Sequence, residues 1–104
     1  MEIKHENKDG LCTALVTGEM NIYHALDLKK GVVEALARHE PLQIDLSGAT
    51  ELDTTGLQLL LLAKREAEAS GRAFSIVNAS EAARAVIDLF SVGEYLNCSA
   101  DHNR

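Results

Sequence analysis

The sequence predicts an α/β fold: a mixed, mostly parallel β-sheet with helices packed on it. Three observations carry that expectation. Stretches of β-forming residues alternate with longer stretches of helical periodicity up to about residue 96, in the order β-β-α-β-α-β-α. Strands alternating with helices imply parallel neighbours joined by right-handed crossovers, and an opening hairpin adds an antiparallel edge. Tryptophan is absent and aromatics make up 4% of the chain, so the core has to come from Leu, Ile, Val and Ala, which suits helices on a sheet.

The first strand is expected over Ile3 to Asn7. Lys8-Asp9-Gly10 turns the chain into Leu11 to Thr17, an uncharged run rich in β-formers that reads as shielded on both faces. From Ile22 to about His39 the pattern is helical, with Ile22, Ala25, Leu26, Val32, Val33 and Leu36 as the apolar side. Gly31 within it costs about 1 kcal/mol relative to alanine, and Pro41 stops the helix. Leu42, Ile44 and Leu46 alternate with Gln43, Asp45 and Ser47 as a third strand. A long helix then runs to about Ser70, where Gly71 ends it. Ala73 to Val77 is the fourth strand. Ser80 and Glu81 cap a last helix whose apolar stripe is Ala83, Val86, Ile87 and Phe90. The 104 residues make one domain, 1–104, with its core over about 3–96 and a polar, frayed tail over 97–104.

The totals exclude several classes of function. The net charge is -6 and the basic residues are scattered, so the counterion-displacing surface of a nucleic-acid binder is missing. No apolar run approaches the roughly 20 residues that span a bilayer, and the charged start lacks a signal-peptide pattern. Cys12 and Cys98 read as two reduced thiols, and the expected location is the cytoplasm.

The richest stretch is Leu42 to Leu62. Within it Asp53-Thr54-Thr55-Gly56 precedes a leucine-rich helix, and Thr55 with Gln58 has capping-box spacing, so the Thr55 hydroxyl is expected to cap that helix. A helix N-terminus presents free amides and the positive end of the macrodipole, which favours an anion, including a phosphate on the hydroxyl itself. Such a phosphate would stand beside Asp53 and Glu51 on an acidic protein, so the expected effect is a folded domain that loses its partner. Leu57, Leu60, Ala63 and Ala67 form a core stripe. Leu59, Leu61 and Leu62 spread around the helix, either against neighbouring helices or as an interaction surface.

Asp45-Leu46-Ser47-Gly48 followed, after a short loop, by Asp53-Thr54-Thr55-Gly56-Leu57 resembles the central signature of STAS domains, the family that includes bacterial anti-sigma-factor antagonists. The order of elements agrees with that family. The resemblance implies a non-enzymatic switch that binds a protein partner through Asp53, Thr54, Thr55, Gly56, Leu57 and Gln58. By the same alignment Thr55 takes the place of the serine phosphorylated in the antagonists. Threonine stands there instead, and Thr54 matches the threonine of an Asp-Thr-Ala-Gly variant found in transporter and chemotaxis-associated relatives, which makes it the alternative phosphorylation site. The partner implied is an anti-sigma-type kinase; the alternatives are a subunit of an ABC-type lipid transporter or a chemotaxis protein.

Other constellations fail. His5, His24, His39 and His102 are far apart with no i,i+4 pair, so no metal or other cofactor is expected. Ser47-Gly48 lacks a Gly-x-Ser-x-Gly elbow, and both nucleotide-binding glycine fingerprints are missing, so no catalytic set is organised. Asp45 and Asp53 read as a turn residue and a helix-start residue rather than as a catalytic pair.

Overall fold

A computed structural model describes residues 1–99. Its elements are β1 (Glu2–Lys8), β2 (Leu11–Met20), a 3₁₀ turn (Ile22–His24), α1 (Ala25–Leu36), β3 (Leu42–Leu52), α2 (Thr54–Ala69), β4 (Phe74–Val77) and α3 (Glu81–Leu89). The four strands form one sheet in the order β1-β2-β3-β4. β1 and β2 are antiparallel, and the other pairs are parallel. The mixed sheet and the element order are those expected.

The hairpin closes at the Lys8–Leu11 pair, leaving Asp9 and Gly10 as its turn. Both have positive φ, 53° and 78°. That is the type I′ turn, whose twist matches the flanking strands. β2 is fully covered on one face only: Cys12, Ala14, Val16 and Met20 are buried, while Leu11, Thr13 and Leu15 opposite are half-buried. The expectation of shielding on both faces therefore fails, because the buried side chains of β3 and β4 lie on the same face as those of β2. Leu28 and Val32 of α1, Leu57 and Leu60 of α2 and Ala83 and Ile87 of α3 join them in one core. A void of about 20 Å³ remains between α1, α2 and the sheet, lined by apolar side chains and barely large enough for one water.

β3 is longer than expected. It runs past Ser47 to Leu52, where the sequence suggested a short loop. Register shifts against β2, between Leu15 and Thr17 and between Gly18 and Glu19, absorb the extra residues as bulges. The Asp45 carboxylate shapes the first of these, with Oδ1 accepting from the Ser47 amide (2.8 Å) and hydroxyl (2.7 Å).

α1 corrects the expected helix twice. Its first residues, Ile22–His24, are a separate 3₁₀ turn, and the helix ends at Leu36, before Pro41 is reached. Its buried stripe is Leu28, Gly31, Val32 and Ala35. Ile22, Leu26 and Val33, assigned to the core from the sequence, are exposed. Gly31 suits the close packing: a Cβ there would run into the Ile3 side chain on β1, whose Cβ and Cγ1 lie at 3.3 Å. A residue that weakens the isolated helix thus lets it seat against the sheet.

α2 ends as expected. Gly71 has φ 78°, and the Arg72 and Gly71 amides donate back to Ala67 and Glu68, the Schellman arrangement. In α3, Ala83 and Ile87 are buried and Val86 packs on the core, but Phe90 is half exposed, since the helix ends one residue before it. The start of the expected frayed tail is tied down: Cys98 bridges to Ile76, and the Ser99 amide donates to the Ile76 carbonyl. The remainder of that tail lies outside the described residues.

Candidate partner-binding site at the start of α2

Asp53 adopts extended backbone (φ -105°, ψ -175°) as the N-cap of α2. Its carboxylate makes two bonds. Oδ1 accepts from the Gly56 amide at 3.0 Å, and Oδ2 accepts from the Ile22 amide at 3.0 Å. One side chain therefore holds the starts of two helical segments 31 residues apart in sequence. The Asp53 amide donates in turn to the Met20 carbonyl. Thr55 is not the cap. A residue two places inside the helix cannot turn its hydroxyl back to the first amides while Asp53, in the extended cap position, already reaches them.

Gly56 is required by close approach rather than by an unusual φ. A Cβ there would lie 2.7 Å from the Met20 carbonyl and 2.8 Å from Leu52 Cδ1. The Asp-x-x-Gly pattern has a complete local explanation: the aspartate caps through the glycine's amide, and the glycine lets the helix start against β2. The two threonines between them are not explained in this way. Thr54 is exposed and Thr55 half-buried, and neither hydroxyl forms a side-chain hydrogen bond among the described residues. Of the six residues named from the sequence, Gly56 and Leu57 are buried, so Asp53, Thr54, Thr55 and Gln58 are those that present surface.

The structure adds a neighbour that the sequence did not indicate. Asn21 caps the 3₁₀ turn, accepting from the Tyr23 amide, while its own amide donates to Glu51 at 2.9 Å. Held this way, the turn displays Ile22 (63% exposed) and Tyr23 (89%), with Leu26 (84%) just beyond in α1. Three large apolar side chains are thus displayed on and just after the turn that Asp53 holds, an arrangement typical of contact surfaces. Along α2 a shallow groove formed by Gln58, Leu61, Leu62, Arg65 and Tyr95 continues the surface. Of the leucines that spread around α2, Leu59 and Leu61 pack against the core, and Leu62 opens into this groove. The only signal for the Ile22–Leu26 patch was its apolar character, and that was assigned to the core.

The electrostatics are acidic. Glu51 and Asp53 flank the threonines, Glu19 pairs with Glu51 across β2 and β3, and α2 has no acidic residue in its first turn beyond the cap. Asp45 lies apart from Asp53, with Oδ2 accepting from Asn78 at 3.0 Å. Burial pushes its pKa up, but hydrogen bonds from Asn78 and Ser47 outweigh this and hold it below the ordinary 3.8. Asp53 stands at a helix start, as expected, whereas Asp45 lies within β3 and shapes a bulge instead of a turn. Cys12 and Cys98 are free thiols, both raised mainly by burial. Among the described residues no group of three His, Cys, Asp or Glu side chains could hold a metal ion, and no helix is long and apolar enough to cross a membrane. His102 lies outside the described residues.

Comparison with known proteins agrees with this architecture. No curated protein sequence matches the chain. Among solved structures, an anti-sigma factor antagonist from Mycobacterium paratuberculosis superposes with a TM-score of 0.87 at 25% identity, covering 96% of this chain and 86% of that one. The Bacillus cell-fate determinant SpoIIAA in its phosphorylated form gives 0.69 at 16% identity, with 96% and 93% covered. An anti-sigma-factor-antagonist (STAS) domain protein from Planctomyces limnophilus gives 0.71 at 12% identity, with 96% and 91% covered. The family model described as "Mlab, STAS domain" matches residues 6–97, and the chain belongs to the STAS domain family.

Proposed function

We propose that this domain is a non-enzymatic protein-binding switch of the anti-sigma-factor-antagonist kind, controlled by phosphorylation at Thr55. The observation that carries the proposal is the pair of hydrogen bonds of Asp53, which fixes an exposed apolar turn next to two threonine hydroxyls that have no side-chain hydrogen bond among the described residues. The partner contacts Asp53, Thr54, Thr55 and Gln58 together with Ile22, Tyr23 and Leu26. Gly56 and Leu57 serve the site from the core. A phosphate on Thr55 faces the positive end of α2 but also Asp53 and Glu51, and it places close to two negative charges against an apolar contact. The fold tolerates it while the complex does not. That a relative of the same fold is known in phosphorylated form supports the switch.

Intact-mass measurement after incubation with an anti-sigma-type serine/threonine kinase and ATP tests the modification. One phosphate is expected on the wild type and on Thr54→Ala, and none on Thr55→Ala. Equal labelling of Thr55→Ala moves the site to Thr54 or elsewhere. The second reading, an unphosphorylated subunit of an ABC-type lipid transporter or a chemotaxis-linked adaptor, draws on the Asp53-Thr54-x-Gly56 form of the motif and on Thr54 being the more exposed hydroxyl. An unlabelled wild type that copurifies with transporter or chemotaxis proteins from its native host selects that reading.

A further inference from the structure

The outer edge of the sheet carries a pattern unconnected with the α2 site. β1 is an edge strand, and among the described residues nothing pairs with its outer side. Its sequence is Glu-Ile-Lys-His-Glu-Asn-Lys. Glu2, Lys4, Glu6 and Lys8 alternate along one face and are exposed, sharing that face with Thr17, Leu15, Thr13 and Leu11 of β2. Lys8–Leu11 closes the hairpin as its hydrogen-bonded pair, so Lys8, Glu6, Lys4 and Glu2 turn their backbone groups towards β2. Ile3, His5 and Asn7 therefore turn theirs outward.

We infer that β1 pairs antiparallel with β1 of a second copy, about a two-fold axis at His5, joining two four-stranded sheets into one of eight strands. In this register the outward backbone groups match: His5 meets His5, and Ile3 meets Asn7. On the exposed face every charge meets its opposite, since Lys4 lies across from Glu6 and Glu2 from Lys8. Directly opposed side chains in antiparallel strands stand about 4.5–5.5 Å apart at Cβ, close enough for these pairs to interact. Sliding the strands by one pleat in either direction sets Lys4 against Lys4 and Glu2 against Glu6, or Glu6 against Glu6 and Lys4 against Lys8. Charge on an edge strand ordinarily keeps sheets apart. Here it forbids the neighbouring registers and favours one.

His5 supplies a second, independent observation. Its side chain is 10% exposed, and neither ring nitrogen has a hydrogen-bond partner. The Glu34 carboxylate stands 3.4 Å from Nε2 without the alignment of a hydrogen bond. The ring nitrogens of an imidazole are hydrogen-bonding groups, and the axis brings the two His5 residues directly opposite each other. The pairing is isologous, as a two-fold dimer requires, and it leaves the start of α2 free.

Sedimentation velocity on the untagged chain tests this. The wild type should show concentration-dependent dimerisation at about 0.05 M salt that weakens at about 1 M, where screening falls to about 3 Å. Lys4→Glu and Glu6→Lys should each weaken self-association tenfold or more, with thermal melts confirming that both fold. Mixed together, these two variants should form a heterodimer, because each mismatched pair becomes complementary. A wild type that stays monomeric at millimolar concentration overturns the proposal. So do single variants that still dimerise like the wild type, or a mixture that stays monomeric.

Discussion

α2 and α3 begin in the same way and have different surroundings. Each is capped by a side chain that accepts from the amide three residues on, Asp53 from Gly56 and Ser80 from Ala83. Each cap is also tied to the sheet by its own amide, Asp53 to Met20 and Ser80 to Leu46. At α3 the cap side chain takes no second donor among the described residues. Its first turn holds Glu81, which complements the helix dipole, and the contacts serve the core. At α2 the carboxylate takes a second donor from the Ile22 turn, the first turn holds two threonines without side-chain hydrogen bonds among the described residues, and Tyr23 and Leu26 stand in solvent in and after the Ile22 turn. Capping chemistry alone therefore does not mark a functional site. What marks α2 is polar and apolar surface that the fold orders and does not use.

The sharpest difference between the two helices lies at the residue that donates to the cap. Gly56→Val drives a side chain into the Met20 carbonyl and Leu52, and should cost about 3 kcal/mol in urea unfolding. The α3 counterpart already carries a methyl that fits, so Ala83→Gly should cost nearer to 1 kcal/mol. Next come the caps themselves. Asp53→Ala removes two hydrogen bonds and should cost about 2 kcal/mol, against about 1 kcal/mol for Ser80→Ala. Equal losses would mean that the Ile22 bond contributes nothing.

A smaller effect depends on pH. Because hydrogen bonds hold the folded-state pKa of Asp45 below 3.8, its contribution is fully present above that value and is lost as pH falls through the folded value. Acid unfolding of Asp45→Asn should therefore show a shallower loss of stability below about pH 4 than the wild type. The smallest change in stability is expected at the surface. Tyr23→Ala and Leu26→Ala should alter the unfolding free energy by less than about 0.5 kcal/mol. A large loss at either would show that the patch belongs to the core and would remove it from the proposed contact.

The sequence carried the sheet well, because its signals are local: a hairpin at Asp9-Gly10, alternation at Leu42–Leu46, and Gly71 past the end of α2. It misled at α1. Phasing the apolar stripe from Ile22 included a 3₁₀ turn with a different residue period, and the true stripe runs through Gly31 and Ala35, whose small size looks unlike a core face. The same error hid the exposed patch, since Ile22 and Leu26 were counted as buried. At α2 the motif was legible but its cap was not. Asp53 prevails over Thr55 because it stands in extended backbone just before the helix, whereas Thr55 lies within the first turn. The second bond of Asp53, to Ile22, is a contact across the fold that no local spacing reveals.

The most direct test of the α2 surface is the affinity of an anti-sigma-type kinase for the wild type, Tyr23→Ala and Ser80→Ala, measured by calorimetric titration. Binding to the wild type, weakened tenfold or more by Tyr23→Ala and unchanged by Ser80→Ala, is the predicted result. Wild-type affinity in Tyr23→Ala, or loss of binding in Ser80→Ala with its fold intact, would contradict it.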